Sequence, residues 1–240
     1  MPDFKFELRI DDQVINASVK LPAEAIRPVD LLPILQGFSN AVLGAACVGE
    51  SVSCTAGCAA CCRQVVPLSE TEAIYLTALI DEMPPERKAA ILDRFEKALQ
   101  KIDAAGLTEK LTMESLRTAE ERRHLGDEYL AARIDCPFLE NELCVIHQHR
   151  PLACREHLVT SPPENCWNPT AGSIEMVKMP RRMSRILYRF GDGVGNGPLK
   201  FLPLTHLFQF RYPEQPRLPG PQIFENFFRE VTAPTKAAAE

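Results

Sequence analysis

The chain reads as a mainly α-helical protein with small β-hairpins (α+β), a helical domain organised around a cysteine-rich centre. Three observations carry that reading. Apolar residues recur at helical spacing through most of the 240 residues, in stripes opened by capping signals or proline. Strict alternation is confined to the N-terminus, and no strand–helix–strand rhythm follows it. Seven of the nine cysteines fall in two compact groups, 54–62 and 136–154, set between helical segments.

In chain order, Phe4, Phe6, Leu8 and Ile10 alternate with polar residues, Asp11-Asp12 turns the chain, and Val14 to Leu21 returns. Residues 1–25 are therefore expected to form a β-hairpin packed on the main domain. Arg27-Pro28-Val29-Asp30 introduces a helix with the stripe Leu31, Leu35, Phe38 and Val42. Asp30 is its expected N-cap, and Pro33 is expected in the first turn, where no N–H is missed. Cys47 lies on the last part of this helix, where a free thiol packs as a small hydrophobe. After an Ala- and Gly-rich loop carrying the first cysteine group, Ser69-Glu-Thr-Glu72 has capping-box spacing, and Ile74, Leu76, Leu79, Ile80 and Met83 continue as an amphipathic helix. Pro84-Pro85 ends it and opens another, with Ile91, Leu92, Phe95, Ala98, Leu99 and Ile102 on one face. A more polar helix is expected over Glu114–Arg133. In the second cysteine group, Glu140-Asn141-Glu142 reads as a hairpin tip with Cys136 and Cys144 on its arms, and Arg150-Pro151 as the start of a short helix holding Cys154 in its first turn. A basic helical piece is expected from Arg181 to Phe190. Residues 26–210 thus form the cysteine-cluster domain, and 211–240 a Pro-rich tail whose end, Thr235–Glu240, is expected to be disordered.

Composition bounds the rest. With 45% hydrophobic and 25% charged residues the chain has ample core material and does not need cysteines as staples. A net charge of −5 gives no global attraction to nucleic acid or to an anionic membrane. No apolar run approaches the ~20 residues of a membrane span, and the first residues lack a signal-peptide core. The expected compartment is the reducing cytoplasm. An odd number of cysteines, two of them adjacent, argues against a framework of disulfides.

Thiols grouped in this way in a reducing compartment point to a metal ion or an iron–sulfur cluster. Cys54-x3-Cys58-x2-Cys61 offers three thiols from one tight wrap, and Thr55, Ala56, Gly57, Ala59 and Ala60 are small enough to bring backbone N–H groups close to sulfur. Gly57 supplies the positive φ that such a wrap demands. Cys62, Cys136, Cys144 and Cys154 complete the candidate ligand set, and Cys166 is a further candidate. Arg63, Arg150 and Arg155 flank these thiols as sources of positive charge, and the helical end at Cys154 is expected to favour its thiolate. Seven thiols exceed the shell of one tetrahedral zinc. The expected cofactor is an iron–sulfur cluster or iron, with zinc as the alternative.

The blocks Cys54-x3-Cys58-x2-Cys61-Cys62, Cys136-Pro-Phe-Leu, Cys144-x-Ile146 and Arg150-Pro151-x-x-Cys154-Arg155 resemble, in order and spacing, the YkgJ-type cysteine-cluster family, which is described as zinc- or iron-chelating. The resemblance covers residues 50–160. It implies a bound metal centre in a mostly helical bacterial protein and does not set a reaction. Flagellin lysine methylases look similar in their cysteine region, which brings a redox or methyl-transfer role into view for relatives; nothing in this chain independently supports flagellin as a substrate. One departure is His147, where the family often carries Tyr, so His147 becomes a candidate imidazole ligand, ahead of His149 and His157.

The function expected is that of a metal-binding protein carrying an iron–sulfur or related redox centre, for electron transfer or cluster-dependent modification. The alternative is a zinc-binding structural or interaction module without catalysis. Cys-x3-Cys-x2-Cys is also the spacing of radical S-adenosylmethionine enzymes, but those place it after the first strand of a βα barrel, and here helices flank it. The basic stretch Lys178–Arg189 is either a solvated face or a docking surface for an acidic protein partner. Gly191–Gly197 follows a helix and lacks a Gly-Lys pair, so it reads as a flexible loop rather than a phosphate cradle.

Overall fold

β1 (Asp3–Ile10) and β2 (Gln13–Lys20) form the expected N-terminal hairpin, antiparallel and in register from Asp3↔Lys20 to Ile10↔Gln13. The computed structural model of the protein describes residues 3–10, 13–112, 118–170, 172–179, 181–195 and 201–233, so the turn at 11–12 lies outside it. Phe6 meets Phe38 edge-on at 5.3 Å and Phe228 at 5.1 Å, which seats the hairpin on the helices.

The fold is mainly helical, with four two-stranded antiparallel pairs among the described residues. α1 (Pro28–Ala46) buries Leu31, Leu35, Phe38 and Val42 as its stripe requires. Its start lies earlier than expected. Pro28 takes the first helical position, Arg27 is the N-cap, and Asp30 sits in the first turn with its carboxylate accepting the Arg27 N–H at 3.0 Å. Pro33 therefore falls inside the helix and removes one hydrogen bond of the ladder. α1 is long and apolar enough, by length and composition, to cross a membrane. Here it packs as a core helix against β2, α2 (Glu70–Asp81) and α8 (Gly220–Thr232).

α2 opens with its capping box intact: Ser69 Oγ accepts the Glu72 N–H, and the Glu72 carboxylate accepts the Ser69 N–H. α3 (Pro85–Ala104) buries Ile91, Phe95, Ala98 and Ile102, while Leu92 of the expected face is exposed. α4 (Thr108–Thr112) and α5 (Ala119–Ala131) cover the end of α3. α5 starts from a Thr118–Glu121 capping box; residues 114–117 of the longer helix expected here lie outside the described residues.

Two strand pairs join distant parts of the chain: β3 (Ala25–Ile26) with β8 (Leu218–Pro219), and β4 (Pro67–Leu68) with β7 (Leu202–Pro203). The stretch read as a Pro-rich tail contains a helix that the sequence reading did not anticipate. α8 seats Ile223, Phe224, Phe227 and Val231 in the core shared with α1. Its first residue, Gly220, passes so close to Pro22 that a Cβ there would stand 2.3 Å from the Pro22 carbonyl oxygen. Thr235–Glu240 lies outside the described residues. The basic piece is shorter than expected: α7 is Met183–Leu187, burying Met183, Ser184, Ile186 and Leu187.

Candidate metal centre

The first cysteine loop is held by its own backbone. Gly57 has φ +87° and Ala59 φ +45°, the wrap that small residues permit, and a 3-10 turn over Ala60–Arg63 carries Cys61 and Cys62. Ser53 anchors the loop to the far end of the motif, its N–H bonding the Val159 carbonyl at 2.9 Å and its hydroxyl the Ser161 carbonyl at 2.5 Å.

The two cysteine groups meet directly. The Cys136 N–H donates to the Cys62 carbonyl at 2.7 Å. Beyond it β5 (Leu139–Glu140) and β6 (Leu143–Cys144) form the expected hairpin, with Asn141 and Glu142 at φ +50° and +57° in its two-residue turn. Arg94 of α3 fastens this hairpin by donating to the Pro137 carbonyl at 2.8 Å and pairing with Glu140. α6 (Leu152–Arg155) carries Cys154. It is capped from outside the motif: the second oxygen of Glu72 accepts the Leu152 N–H at 2.7 Å, so one buried carboxylate caps the starts of both α2 and α6. Glu156, fully buried, repeats the device by accepting the Ser184 N–H and O–H at the start of α7.

Cys61, Cys62, Cys136, Cys144 and Cys154 all line one cavity of about 610 Å³. Cys54, Cys58 and Cys166 gather beside it around Ala60, Val159 and Trp167, and the Val159 N–H donates to Cys54 Sγ at 3.4 Å. All nine cysteines are free thiols. Cys47 is the C-cap of α1, apart from both groups.

Residues 53–171, just under half of the chain, match the model of the CxxCxxCC family, described as "Putative zinc- or iron-chelating domain". This segment belongs to that family. No curated protein and no solved structure matches the chain. The CxxCxxCC domain takes in Cys166 together with the seven motif cysteines and leaves out Cys47. It is a metal-chelating domain by family, and its clustered cysteines are the candidate donors.

Electrostatics in the domain follow from burying many thiols together. Burial first, then neighbouring thiols, pushes Cys136 up to about 12 and Cys154 well above its ordinary value. Burial also raises Cys144, Cys54 and Cys166. The expectation that a helix end would favour the Cys154 thiolate is overturned, because desolvation outweighs the partial charge of a single helical turn. Cys61 is the exception. A hydrogen bond with Cys62 favours its thiolate, helped by Arg150, and holds Cys62 protonated. Cys61 also lies within electrostatic reach of both thiol groups.

The three flanking arginines divide. Arg150 lines the cavity, and its charge acts on Cys54, Cys61 and Cys144. Arg63 points away from the thiols, pairing with Asp135 and Glu142 at 2.7 Å and stacking over Trp167 at 4.6 Å. Arg155 ties backbone together, donating to the carbonyls of Arg150 and Gln148 and to Asn40. Among the histidines, His147 is exposed and is not part of the cavity wall, His149 Nδ1 meets the Tyr75 hydroxyl at 2.7 Å, and His157 lines the cavity.

Among the described residues no three His, Cys, Asp or Glu side chains stand in the arrangement of a metal site. The thiols are gathered without converging on a point. Tetrahedral zinc at a Zn–S distance of about 2.3 Å needs sulfurs about 3.8 Å apart. The chemistry of the donors nevertheless fits a metal. Thiols that burial keeps protonated bind cations by exchanging protons for metal, and Arg150, whose Nε is buried without a hydrogen-bond partner, stands among them to offset thiolate charge. The sequence reading missed Glu72 and Glu156 as parts of the site and ranked His157, which lines the cavity, behind His147, which does not. The Ser69-x-x-Glu72 spacing marked a cap, but nothing in it signalled the second bond across to α6.

Proposed function

We propose that the CxxCxxCC domain holds an iron–sulfur cluster, with ligands drawn from Cys61, Cys62, Cys136, Cys144 and Cys154, and that the protein acts as a redox centre in a reducing compartment. The observation that carries this reading is that five thiols from three chain segments open onto one cavity. A cluster and a zinc ion each take four thiols, so it is the room these five leave between them that favours the larger inorganic group. Cys54, Cys58 and Cys166, grouped beside the cavity around Ala60 and Val159, form a reserve of thiols.

When bound, such a cluster supplies one-electron chemistry. The residues of the chain set its surroundings. Cys61, already biased toward thiolate, is the first donor available. Arg150 counters the charge of the bound thiolates. Glu72 and the Cys136–Cys62 backbone bond fix the spacing between the ligand-bearing segments. Phe138, Ile146 and Leu204 line the cavity with apolar surface, which holds the local dielectric low.

Protein purified without oxygen tests this. Broad visible absorbance together with iron and acid-labile sulfide is the expected result. Stoichiometric zinc in a colourless protein would replace the redox reading with a structural one.

A further inference from the structure

The cavity is far larger than a metal centre needs, and its second wall has a character of its own. It carries four arginines, Arg122, Arg150, Arg182 and Arg185, against a single acid, Asp127. This excess of positive charge sits in a chain of net charge −5. Arg150 acts on the thiols, but Arg182 and Arg185 are set apart from them. Arg182 meets Met176 Sδ at 3.9 Å and its charge acts on the buried Glu156 carboxyl without an ion-pair contact among the described residues, and Arg185 is exposed with no ion pair among them. Arg182, the N-cap of α7, Arg185 within it and Tyr188, its C-cap, all line the cavity, which places two guanidinium groups and an aromatic ring along this short helix. Beside them Phe201 lies 5.5 Å from Tyr188, centroid to centroid, and Leu204 and Ile174 extend the apolar lining.

Two nitrogens around this cavity lack partners among the described residues. Four side-chain polar atoms are buried without a hydrogen bond among the described residues, and two of them, Arg150 Nε and His157 Nε2, belong to residues lining this cavity. A buried donor left unmade is costly and calls for a missing partner. Guanidinium forks recognise planar oxyanions in two-bond fashion, and a concave site with one cationic end draws in anions. A volume of about 610 Å³ is the size that small organic ligands occupy.

We propose that this cavity is a binding pocket for a small organic acid, whose carboxylate or phosphate meets Arg182 and Arg185 and whose apolar body lies along Tyr188, Phe201 and Leu204, facing the cysteine wall. The inference rests on the shape and charge of the pocket and stands apart from the metal reading. It makes two residues of the basic stretch, Arg182 and Arg185, ligand contacts, while Lys178 and Arg189 stay on the exposed surface.

The test uses the protein as purified, whatever metal it holds, with two fluorescent probes of like shape. 1-Anilinonaphthalene-8-sulfonate carries an acid group on an aromatic body; N-phenyl-1-naphthylamine has the same rings and no charge. The sulfonate probe is expected to bind saturably, at least about tenfold more tightly than the neutral one, in keeping with charge-assisted hydrogen bonds. Arg185→Glu, an exposed position whose change does not threaten folding, and Arg182→Ala should each weaken it by about tenfold and leave the neutral probe unmoved. Circular dichroism checks that each variant is folded. Equal affinity for the two probes, or sulfonate binding indifferent to both substitutions, would overturn the proposal, and the arginines would then serve an outer surface. Neither result depends on which metal is bound.

Discussion

The two thiol groups differ in what holds them. The cavity group is framed from outside the motif. Glu72 of α2 caps the helix of Cys154, and Arg94 of α3 clamps the hairpin of Cys136 and Cys144. The outer group relies on its own loop, with Ser53 bonded to Val159 and Ser161 and a small core of Ala60, Val159 and Cys166 beneath it. Residues 55–57 between Cys54 and Cys58 are exposed. Ligands pinned by helices keep their spacing, whereas thiols on a surface loop adapt to what is bound. On the proposed reading the permanent ligands are therefore the cavity thiols, and Cys54, Cys58 and Cys166 take an adjustable role.

Single Cys→Ser changes sharpen that division and carry the largest expected effect. Cys136→Ser or Cys154→Ser should abolish bound metal by elemental analysis, while Cys58→Ser or Cys166→Ser should leave a reduced but measurable amount. Cys47→Ser should change nothing. If Cys58→Ser strips the protein as completely as Cys136→Ser does, the division is wrong.

Next comes the frame. Glu72→Ala leaves the Ser69 and Leu152 N–H groups buried without an acceptor. The expected loss is about 3 kcal/mol, read as a fall in Tm of about 6–12 °C. The pH dependence follows from burial, which holds the Glu72 and Glu156 carboxyls above the ordinary 4.5. The folded state then keeps protons that the unfolded state releases. This contribution to stability is full below pH 4.5 and is lost as pH rises through the folded-state value. Thermal melts of Glu72→Gln against pH should lack the part of that slope due to Glu72. A variant whose slope matches the wild type would show that Glu72 is ionised without penalty.

Reactivity gives a subtler contrast. In metal-free protein near neutral pH, iodoacetamide should label Cys61 before Cys136 or Cys154, because only Cys61 is biased toward thiolate. Peptide mapping after brief exposure reads the order. The smallest effect is expected of Arg63→Ala. Its pairs with Asp135 and Glu142 have half-exposed carboxylates, so the loss should be about 1 kcal/mol or less, with metal content unchanged.

Much of the fold was legible because its signals are local. The stripes of α1 to α3 and the Ser69–Glu72 box depend on residues within one or two turns. α8 was hidden by composition, since Pro219 and Pro221 read as tail although they stand at its N-cap and first turn. Asp30 was misplaced by three residues because Pro28 fits the first helical position as well as Asp30 fits a cap. In the site, spacing marked two groups, 54–62 and 136–154, which the Cys136–Cys62 hydrogen bond joins, but it did not show that Cys54 and Cys58 lie with Cys166 while Cys61 and Cys62 face the second group. Direction was not legible. Arg63 and Arg155 neighbour cysteines in sequence, yet their guanidinium groups turn to Asp135, Glu142 and Asn40, partners far along the chain. His157 reaches the cavity and His147 does not, because that depends on how the chain leaves α6 rather than on distance from a cysteine.

The account depends most on the cavity thiols sharing an inorganic cluster. Iron and acid-labile sulfide per chain, measured side by side in oxygen-free wild type and Cys136→Ser, tests it directly. Both elements present in the first and absent from the second is the predicted result. Wild-type protein without iron, or iron and sulfide that persist in the variant, would contradict it.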